Sequence, residues 1–381
     1  MQDQQFPPSL SRTNGLSRRA RYEYGASLRR RTARSSHGAW HAPRGRPDPV
    51  TVLMDQGRQR IADLLPVRYA RMQVSPFAFL RGAAAVMAGD LVHTPATGPV
   101  VQSCGDCHLA NFGSYASAEG TPVFDINDFD ETLPAPFEWD IKRLGTSLVL
   151  AGRQGGLSDG ASRALAVNMV LAYTMEMKRL SLLSPLEVWA NPINLSAAIA
   201  CFSNRQARTQ AQSLLAQRME SARCHYGLVD TDQAMPVLRE HRPLVMRLPA
   251  HDDVIRKAFT RYVATQPAEL AVLLERYELR DIIFKVVGIG SVGTFCAIGL
   301  FATVDGEMLL LQIKEAQQSV LAPFTAPSPF ANQGQRVVTG QRIMQAQSDL
   351  FLGWTHSTGQ NEGAAGVAAF SGAGRRVYGR R

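Results

Sequence analysis

Apolar positions recur at helical spacing over much of the chain and give way to β-prone runs in a few places. Residues 50–65 show this spacing and predict an amphipathic helix that ends before Pro66. The same spacing predicts further helices at residues 136–151, 160–182, 192–222 and 251–277. Short apolar, β-prone runs predict strands at residues 99–101, 122–124 and within 281–314. The pattern therefore predicts an α+β protein with a large helical part.

Polar side chains are concentrated between Val101 and Thr132, next to two of these short strands. The residues concerned are Asp106, His108, Asn111, Asp125, Asp128 and Asp130. Carboxylates at the point where strands leave an apolar core are costly unless they bind a positive group. This stretch is therefore the first candidate for a functional site.

The local order of these residues adds a more specific signal. Residues 105–111 read G-D-x-H-x-x-N, and an apolar strand and the triplet Asp128-Phe129-Asp130 follow them. This combination resembles the catalytic loop and the metal-binding aspartate of protein-kinase-like phosphotransferases, and the aminoglycoside and choline kinases most of all. The resemblance implies that Asp106 positions or deprotonates a hydroxyl. It also implies that Asn111 and Asp128 hold Mg²⁺, with Asp125 as the alternate ligand. Asp130 and His108 are then expected to have structural roles beside the ligands.

A glycine-rich stretch, Gly288-Ile289-Gly290-Ser291-Val292-Gly293, lies between two predicted strands. A dinucleotide-binding fold requires a helix directly after the last glycine, whereas residues 294–301 are strand-like here. An Asp-Gly turn and another strand then lead to Lys314. This order resembles the phosphate-covering hairpin of a kinase small lobe and implies that Gly288, Gly290, Ser291, Gly293 and Lys314 contact the phosphates of ATP. The alternative is an ordinary glycine-containing hairpin with a surface lysine.

The two partial kinase motifs occur in the reverse of the usual order, which predicts a circularly permuted fold. The whole chain, over roughly residues 30–354, also resembles the bacterial domain-of-unknown-function family 2252. The strings that carry this resemblance are RSSHGAW, RYARMQVSPFAFLRGAA, CGDCHLANFG, VFDINDFDET, PFEWDIKRL, VVGIGSVGT, LQIKEAQQSVLAP and GQRIMQAQSDLFLGW. The resemblance implies a protein-kinase-like (aminoglycoside/choline kinase-like) two-lobe fold with a large helical lobe and a small β-hairpin-based lobe. It implies no particular substrate.

The chain departs from this family's pattern in three ways. Members usually continue well past the FLGW string, so the sequence predicts a C-terminal truncation. Thr339 stands where relatives tend to have Glu, and the predicted helix at residues 333–352 has no glutamate to pair with Lys314. Cys107 stands where relatives tend to have Ala. The first two departures put catalytic turnover by this chain in doubt.

The sequence divides into four predicted regions. Residues 1–45 are a basic mobile leader with a short helix near residues 17–34, and residues 46–280 are the helical lobe that carries the catalytic-loop-like and metal-binding motifs. Residues 281–353 are an incomplete small lobe with the glycine loop and the lysine. Residues 354–381 are rich in Gly, Ala and Arg and are predicted to be a disordered tail.

Charge and cysteine usage narrow the classes of function. Of the net charge of +9, the first 50 residues supply +7, from ten arginines and three acids. The basic character therefore belongs to the leader, which argues against specific nucleic-acid binding. No apolar run is long enough to span a membrane, and we expect a cytoplasmic protein without a membrane partner. The five cysteines are too few and too scattered for a disulfide framework.

Three functions compete on this basis. The first is an ATP- and Mg²⁺-dependent phosphotransferase with nucleotide and an unknown phosphate acceptor as its partners. The second is a nucleotide-binding pseudoenzyme or regulatory module without turnover. The third is a thiol oxidoreductase that uses Cys104 and Cys107, although residues 111–113 break the helix that such a motif normally opens. Arg71 and Arg81 are as consistent with exposed charges at a helix edge as with contacts to phosphate or substrate.

Overall fold

A computed structural model describes residues 15–117, 120–231, 235–249, 252–286, 288–356 and 367–372. The N-terminal part consists of the helices α1 (Arg18–Arg31), α2 (Pro49–Gly57), α3 (Leu65–Gln73), α4 (Pro76–Gly82) and α5 (Ala84–Leu91). The helix predicted at residues 17–34 matches α1. The helix predicted to run to residue 65 ends earlier, at Gly57, and α3 starts a new helix that carries Pro66 in its first turn. Proline is tolerated there because the first helical amides have no partner within the helix.

Four short strands surround the polar stretch that the sequence singled out. They are β1 (Val100–Ser103), β2 (Phe112–Ala116), β3 (Pro122–Ile126) and β4 (Leu133–Pro136). β1 pairs antiparallel with β4, and β2 pairs antiparallel with β3. Segment 104–111 connects β1 to β2, and segment 127–132 connects β3 to β4. Both segments therefore run between the same two ribbons, which places their polar residues in one region.

A helical block follows these strands. It consists of α6 (Phe137–Gln154), α7 (Asp159–Leu180), α8 (Pro185–Trp189), α9 (Leu195–Ala200) and α10 (Arg205–Arg223). Serine side chains cap α7 and α8, since Ser158 and Ser184 accept hydrogen bonds from the first-turn amides. The helix predicted at residues 192–222 is two helices, α9 and α10. No helix within the described residues is long and apolar enough to cross a membrane.

The C-terminal part is a six-stranded antiparallel sheet. Its strands are β7 (Val245–Met246), β8 (Glu278–Lys285), β9 (Cys296–Ala302), β10 (Met308–Glu315), β11 (Gly353–His356) and β12 (Val367–Gly372). The helix α13 (Gln333–Met344) lies between β10 and β11 in the chain. The strand order is β11-β12-β10-β9-β8-β7. Two residues each form β5 (Val229–Asp230) and β6 (Val237–Leu238), which pair with each other. The predicted series of strand, glycine turn, strand, hairpin and lysine-bearing strand corresponds to β8, β9 and β10.

One face of the sheet is covered by α11 (Asp252–Ala264) and α12 (Ala268–Leu274). Phe259 of α11 packs against Phe301 of β9 with the rings tilted by 39° and 4.2 Å between their centroids, and β9 is buried along its whole length. Pro267 caps α12 and separates the two helices, which the sequence had predicted as one helix over residues 251–277. These helices share a hydrophobic core with the strands β8, β9 and β10.

The predicted disordered tail contributes two strands to this sheet. β11 and β12 pair with each other, and β12 also pairs with the lysine-bearing strand, with Lys314 opposite Ala369. Residues 354–356 and 367–372 of the predicted tail are therefore in strands. Their short apolar and Gly-rich runs gave no periodic signal, because strand pairing depends on partners far along the chain. The rest of the predicted tail lies outside the described residues.

Candidate functional site

Lys314 ends the central strand β10 beside the segment that precedes β4. Its Nζ lies 3.4 Å from Asp128 Oδ1 and 3.4 Å from Asp130 Oδ2. Burial opposes the charge of the lysine, but the two carboxylates outweigh it and raise the Lys314 pKa above its usual value. The predicted helix after Lys314 offers no glutamate to pair with it. Its partners are instead two aspartates from a segment more than 180 residues earlier in the chain.

The two aspartates share this lysine unequally. Burial disfavours ionisation of Asp128, but Lys314 and the backbone amide of Asp130 outweigh it and lower the Asp128 pKa. Burial and the neighbouring charge of Asp128 raise the Asp130 pKa to about 6. At neutral pH Asp128 is therefore the more strongly anionic group, and it is the better candidate for a cation ligand.

A cleft of about 100 Å³ lies next to this ion-pair group, and we call it the arginine cleft. It is enclosed by the glycine turn at residues 288–294, the segment 106–111, and side chains from the region of α2 to α4. The side chains and turn residues that matter here are Arg60, Arg68, Arg81, Asp106, His108, Asn111, Asp128, Asp130, Glu131, Gly288, Gly290, Ser291 and Glu315. The predicted catalytic, metal-ligating and glycine-turn residues thus face one another across a single cleft, with the exceptions of Asp125 and Gly293.

Asp106 is held in this cleft by a buried arginine. Arg143 of α6 forms an ion pair with Asp106 Oδ1 and also donates to the carbonyl oxygen of Leu80, at 2.9 Å. Burial raises the Asp106 pKa to about 7, although Arg143 opposes the shift. Asp106 Oδ2 is the oxygen nearer the glycine turn, 4.0 Å from where a Cβ on Gly290 would lie. A carboxylate with a pKa near neutrality and one oxygen towards the cleft can accept a proton.

The turn that contains Asp106 is fixed by two neighbouring segments. The amides of Cys104 and Gly105 donate to the carboxylate of Asp140, at 2.7 and 3.1 Å. Gly105 has a φ of +82°, and a Cβ there would lie 2.2 Å from the carbonyl oxygen of Glu131. Asn111 Nδ2 donates to the Asp106 carbonyl oxygen, at 2.8 Å, and orients its amide in the same cleft. The glycine in the G-D-x-H-x-x-N motif is therefore required by both backbone conformation and packing.

The glycine turn lies directly against the N-terminal helices. A Cβ on Gly290 would be 3.1 Å from the carbonyl oxygen of Arg81, so only a glycine approaches α4 this closely without displacement. Arg71 Nη1 donates to the Gly288 carbonyl oxygen, at 2.8 Å. Arg71 therefore supports the turn from α3. Neither of the two interpretations that the sequence left open for Arg71 included this contact.

Asp125 does not line the arginine cleft. Its Oδ1 accepts from the amide of Ile126 at 2.8 Å, and the Ala346 amide also binds the carboxylate. Burial nevertheless raises the Asp125 pKa. These contacts occupy the carboxylate in backbone hydrogen bonds at the end of β3. Within the described part of the chain, no group of three or more His, Cys, Asp and Glu side chains is arranged to hold a metal ion by itself.

A second and larger cavity, of about 750 Å³, opens on the other side of Lys314. Asp128 and Asp130 line both spaces, so the ion-pair group separates the arginine cleft from this large cavity. One wall of the large cavity is aromatic, and the rings of Phe112 and Phe124 stack with 6.3 Å between centroids. Its volume lies within the range of 300–1,000 Å³ typical of ligand sites.

The cysteine pair does not have the surroundings of a redox motif. Cys104 is fully buried, Cys107 is nearly so, and both are free thiols. A hydrogen bond with Cys107 and burial raise the Cys104 pKa well above its usual value. Because the thiolate is the reactive species, this environment disfavours thiol chemistry.

Comparisons with known proteins place the chain in a family. The sequence model of family DUF2252, described as "Uncharacterized protein conserved in bacteria", matches residues 60–368. The chain therefore belongs to this family. No curated protein and no solved structure gives a significant match.

Proposed function

We propose that this protein is a kinase-like phosphotransferase that transfers a phosphoryl group from ATP to a hydroxyl of an acceptor. The observation that supports this most is the placement of Lys314 at Asp128, beside a cleft that also contains the glycine turn, Asp106 and Asn111. Phosphoryl transfer depends mainly on positioning and on electrostatic stabilisation of phosphate oxygens. A lysine, backbone amides of a glycine turn and hard-oxygen donors are the groups that this chemistry requires.

The residues present fit a magnesium ion held jointly with phosphates. Asp128 is anionic at neutral pH, and Asn111 supplies an amide oxygen in the same cleft. Mg²⁺ is usually bound by one or two protein carboxylates together with substrate phosphates rather than by a complete protein cage. When bound, the ion would neutralise charge on the phosphate oxygens. Asp125 is the weaker candidate because backbone amides already occupy its carboxylate.

Asp106 would act on the acceptor. As the acceptor oxygen forms its bond to the γ-phosphorus, the bond from that phosphorus to the bridging oxygen of ADP breaks, and the hydroxyl proton passes to Asp106 Oδ2. Arg143 on Oδ1 keeps the carboxylate oriented, and the Asp106 pKa of about 7 suits proton transfer near neutral pH. Lys314 and the glycine turn hold the transferred group in line.

The large cavity offers space for the nucleoside. Its aromatic wall and Lys314 line the same cavity, so a base against that wall leaves the phosphates to pass the lysine towards the arginine cleft. The cleft itself is far below the volume of a typical ligand site and accommodates only a small group. This division assigns the nucleoside and the reacting groups to opposite sides of the ion-pair group.

Nucleotide titrations test this assignment. Asp128→Ala should lose the Mg²⁺-dependent part of ATP affinity, whereas Asp125→Asn, which keeps an oxygen acceptor for the Ile126 amide, should retain it. Asp106→Asn should bind Mg·ATP normally and transfer no phosphate. Calorimetry that shows unchanged Mg·ATP binding in Asp128→Ala would contradict the assignment.

A nucleotide-binding protein without turnover is the second candidate. It is favoured by α13, which presents Val337, Gln341 and Gln345 to the cavity that contains Lys314, with no glutamate at these positions. Saturable Mg·ATP binding to the wild type, with no phosphate released to water or to a panel of hydroxyl acceptors, would favour this candidate over the enzyme.

A further inference from the structure

Three arginines converge on the arginine cleft from the N-terminal helices. Arg68 lies on the buried face of α3, Arg81 lies at the end of α4, and Arg60 lies between α2 and α3. Arg68 is 1% exposed, and Arg68 Nη2 donates to the carbonyl oxygen of Gly82, at 2.8 Å. The motifs that the sequence singled out do not account for this concentration of positive charge.

These guanidinium groups carry buried donors without acceptors. Among the described residues, Arg68 Nε, Arg68 Nη1, Arg60 Nε and Arg81 Nε have no hydrogen-bond partner. Leaving a buried donor unsatisfied costs on the order of 1–3 kcal/mol, and more for a charged group. Burial, together with the charge of Arg68, lowers the Arg60 pKa to about 10. The three side chains are therefore arranged for an anion that they would bind rather than for each other.

The carboxylates in the same cleft are occupied elsewhere. Asp106 pairs with Arg143, and a carboxylate oxygen of Glu131 accepts from the amide of Val320 at 2.6 Å. Asp128 and Asp130 pair with Lys314. Among the described residues, none of the three arginines lies within 4.0 Å of a carboxylate in an ion pair. The three arginines therefore have no carboxylate in direct contact, although Glu131 and Glu315 attract Arg60, and Asp106 attracts Arg81, over a longer distance.

We propose that Arg60, Arg68 and Arg81 form a binding site for a phosphate group. Guanidinium groups bind tetrahedral oxyanions through parallel N–H···O bonds, and several guanidiniums together favour a dianion over a carboxylate. The cleft has room for such a group but not for a nucleoside. The site places the phosphate beside Asp106 and the glycine turn.

The phosphate has two chemical sources. It belongs either to the acceptor, which is then a phosphorylated small molecule, or to the terminal position of the nucleotide. The acceptor source rests on the proposed function, whereas the phosphate site itself does not. If the nucleoside occupies the large cavity on the far side of Lys314, the arginine cleft remains for the phosphate of the acceptor.

Calorimetric titration of the nucleotide-free full chain with inorganic phosphate, at constant ionic strength in chloride, tests the site. The wild type should bind phosphate saturably, and its melting temperature should rise with phosphate concentration. Arg68→Met and Arg81→Gln should each weaken binding by about tenfold or more, as expected for loss of charged hydrogen bonds. Arg58→Met is the matched control, because this arginine follows α2, is exposed, pairs with Asp55 at 3.2 Å and does not line the cleft.

A variant that folds differently would lose phosphate binding whether or not the arginines form the site. The melting temperature of each variant is therefore also measured without phosphate. Because Arg68 is buried with unsatisfied donors, Arg68→Met should melt no lower than Arg58→Met in chloride and should lose the rise in melting temperature that phosphate causes. No saturable binding by the wild type below about 10 mM phosphate, or equal affinities for Arg68→Met, Arg81→Gln and Arg58→Met, would overturn the site.

A second titration separates the two sources. With a non-hydrolysable Mg·ATP analogue at saturation, continued phosphate binding assigns the site to a phosphorylated acceptor, and competition assigns it to the terminal phosphate of the nucleotide. Asp128→Ala should bind phosphate as the wild type does even if it loses Mg·ATP. Phosphate binding without any nucleotide binding would support the arginine site and reject the proposed phosphotransferase.

Discussion

Arg336 connects α13 to the segment that carries the candidate site, and its replacement is a test of the fold that does not depend on function. The side chain is 3% exposed. Its guanidinium donates to the carbonyl oxygens of Thr132, Asp130 and Gln317, at 2.6, 2.8 and 2.8 Å, and to Gln333 Oε1 at 2.6 Å. One side chain therefore joins three segments that are distant in sequence.

Replacing Arg336 with methionine keeps much of the apolar volume and removes every one of these hydrogen bonds. Each hydrogen bond from a charged donor contributes about 1.5–3 kcal/mol, and removal of a buried charge offsets part of the loss. We therefore expect Arg336→Met to lower the free energy of unfolding by about 3–5 kcal/mol. Arg336→Lys should be intermediate, because an ammonium group cannot reach three carbonyl oxygens in the geometry of the guanidinium fork.

Urea unfolding followed by circular dichroism measures this loss. The matched control is Arg256→Met, since Arg256 is exposed and donates to a single backbone carbonyl, that of Leu279, at 2.9 Å. The control should change the free energy of unfolding by about 0.5 kcal/mol or less. If Arg336→Met falls within the same range as the control, Arg336 does not hold these segments together and the reasoning is wrong.

Two further changes probe the packing around the site. Gly340→Ala should lower the free energy of unfolding by about 1–3 kcal/mol, because its Cβ would lie 2.4 Å from Thr132 Cγ2, and Thr132→Ala in the same chain should recover part of the loss in urea unfolding. Arg143→Met leaves Asp106 buried without its ion-pair partner and should cost about 3–5 kcal/mol at neutral pH. A carboxyl whose pKa is raised on folding destabilises the fold as pH increases from its unfolded value towards its folded value, so the loss in Arg143→Met should be greater at pH 8 than at pH 5. An equal loss at both pH values would exclude an uncompensated Asp106 charge as its cause.

Local signals in the sequence predicted much of the site. The glycine turn between two strands, the Asp-Gly hairpin and the lysine at the end of a strand depend on neighbouring residues, and β8 to β10 form as expected. The proximity of Lys314 to Asp128 followed from the complementary roles of two half-motifs. By contrast, β12 forms by pairing with β10 and β11 by pairing with β12, and no local pattern marks either strand.

The arginine cleft could not be predicted from local patterns in the same way. Arg68 stands four residues after Leu64 and four before Met72, and all three are buried. An arginine within an apolar stripe at helical spacing is a usable signal for a buried charge. This signal was missed because the helix was predicted to end before Pro66. In the structure, Pro66 lies in the first turn of α3, which continues to Gln73.

The pairing of Lys314 has a consequence for ligand binding. If a glutamate supplied the counter-charge of Lys314, Asp128 would remain free to bind a cation. Here Asp128 and Asp130 supply the counter-charge themselves, so any cation that binds Asp128 competes with Lys314 for it. Bound phosphates relieve this competition, because they give Lys314 and the three arginines new acceptors while the cation takes the carboxylate. Metal and phosphate should therefore bind with positive cooperativity, each strengthening the affinity for the other by the same factor.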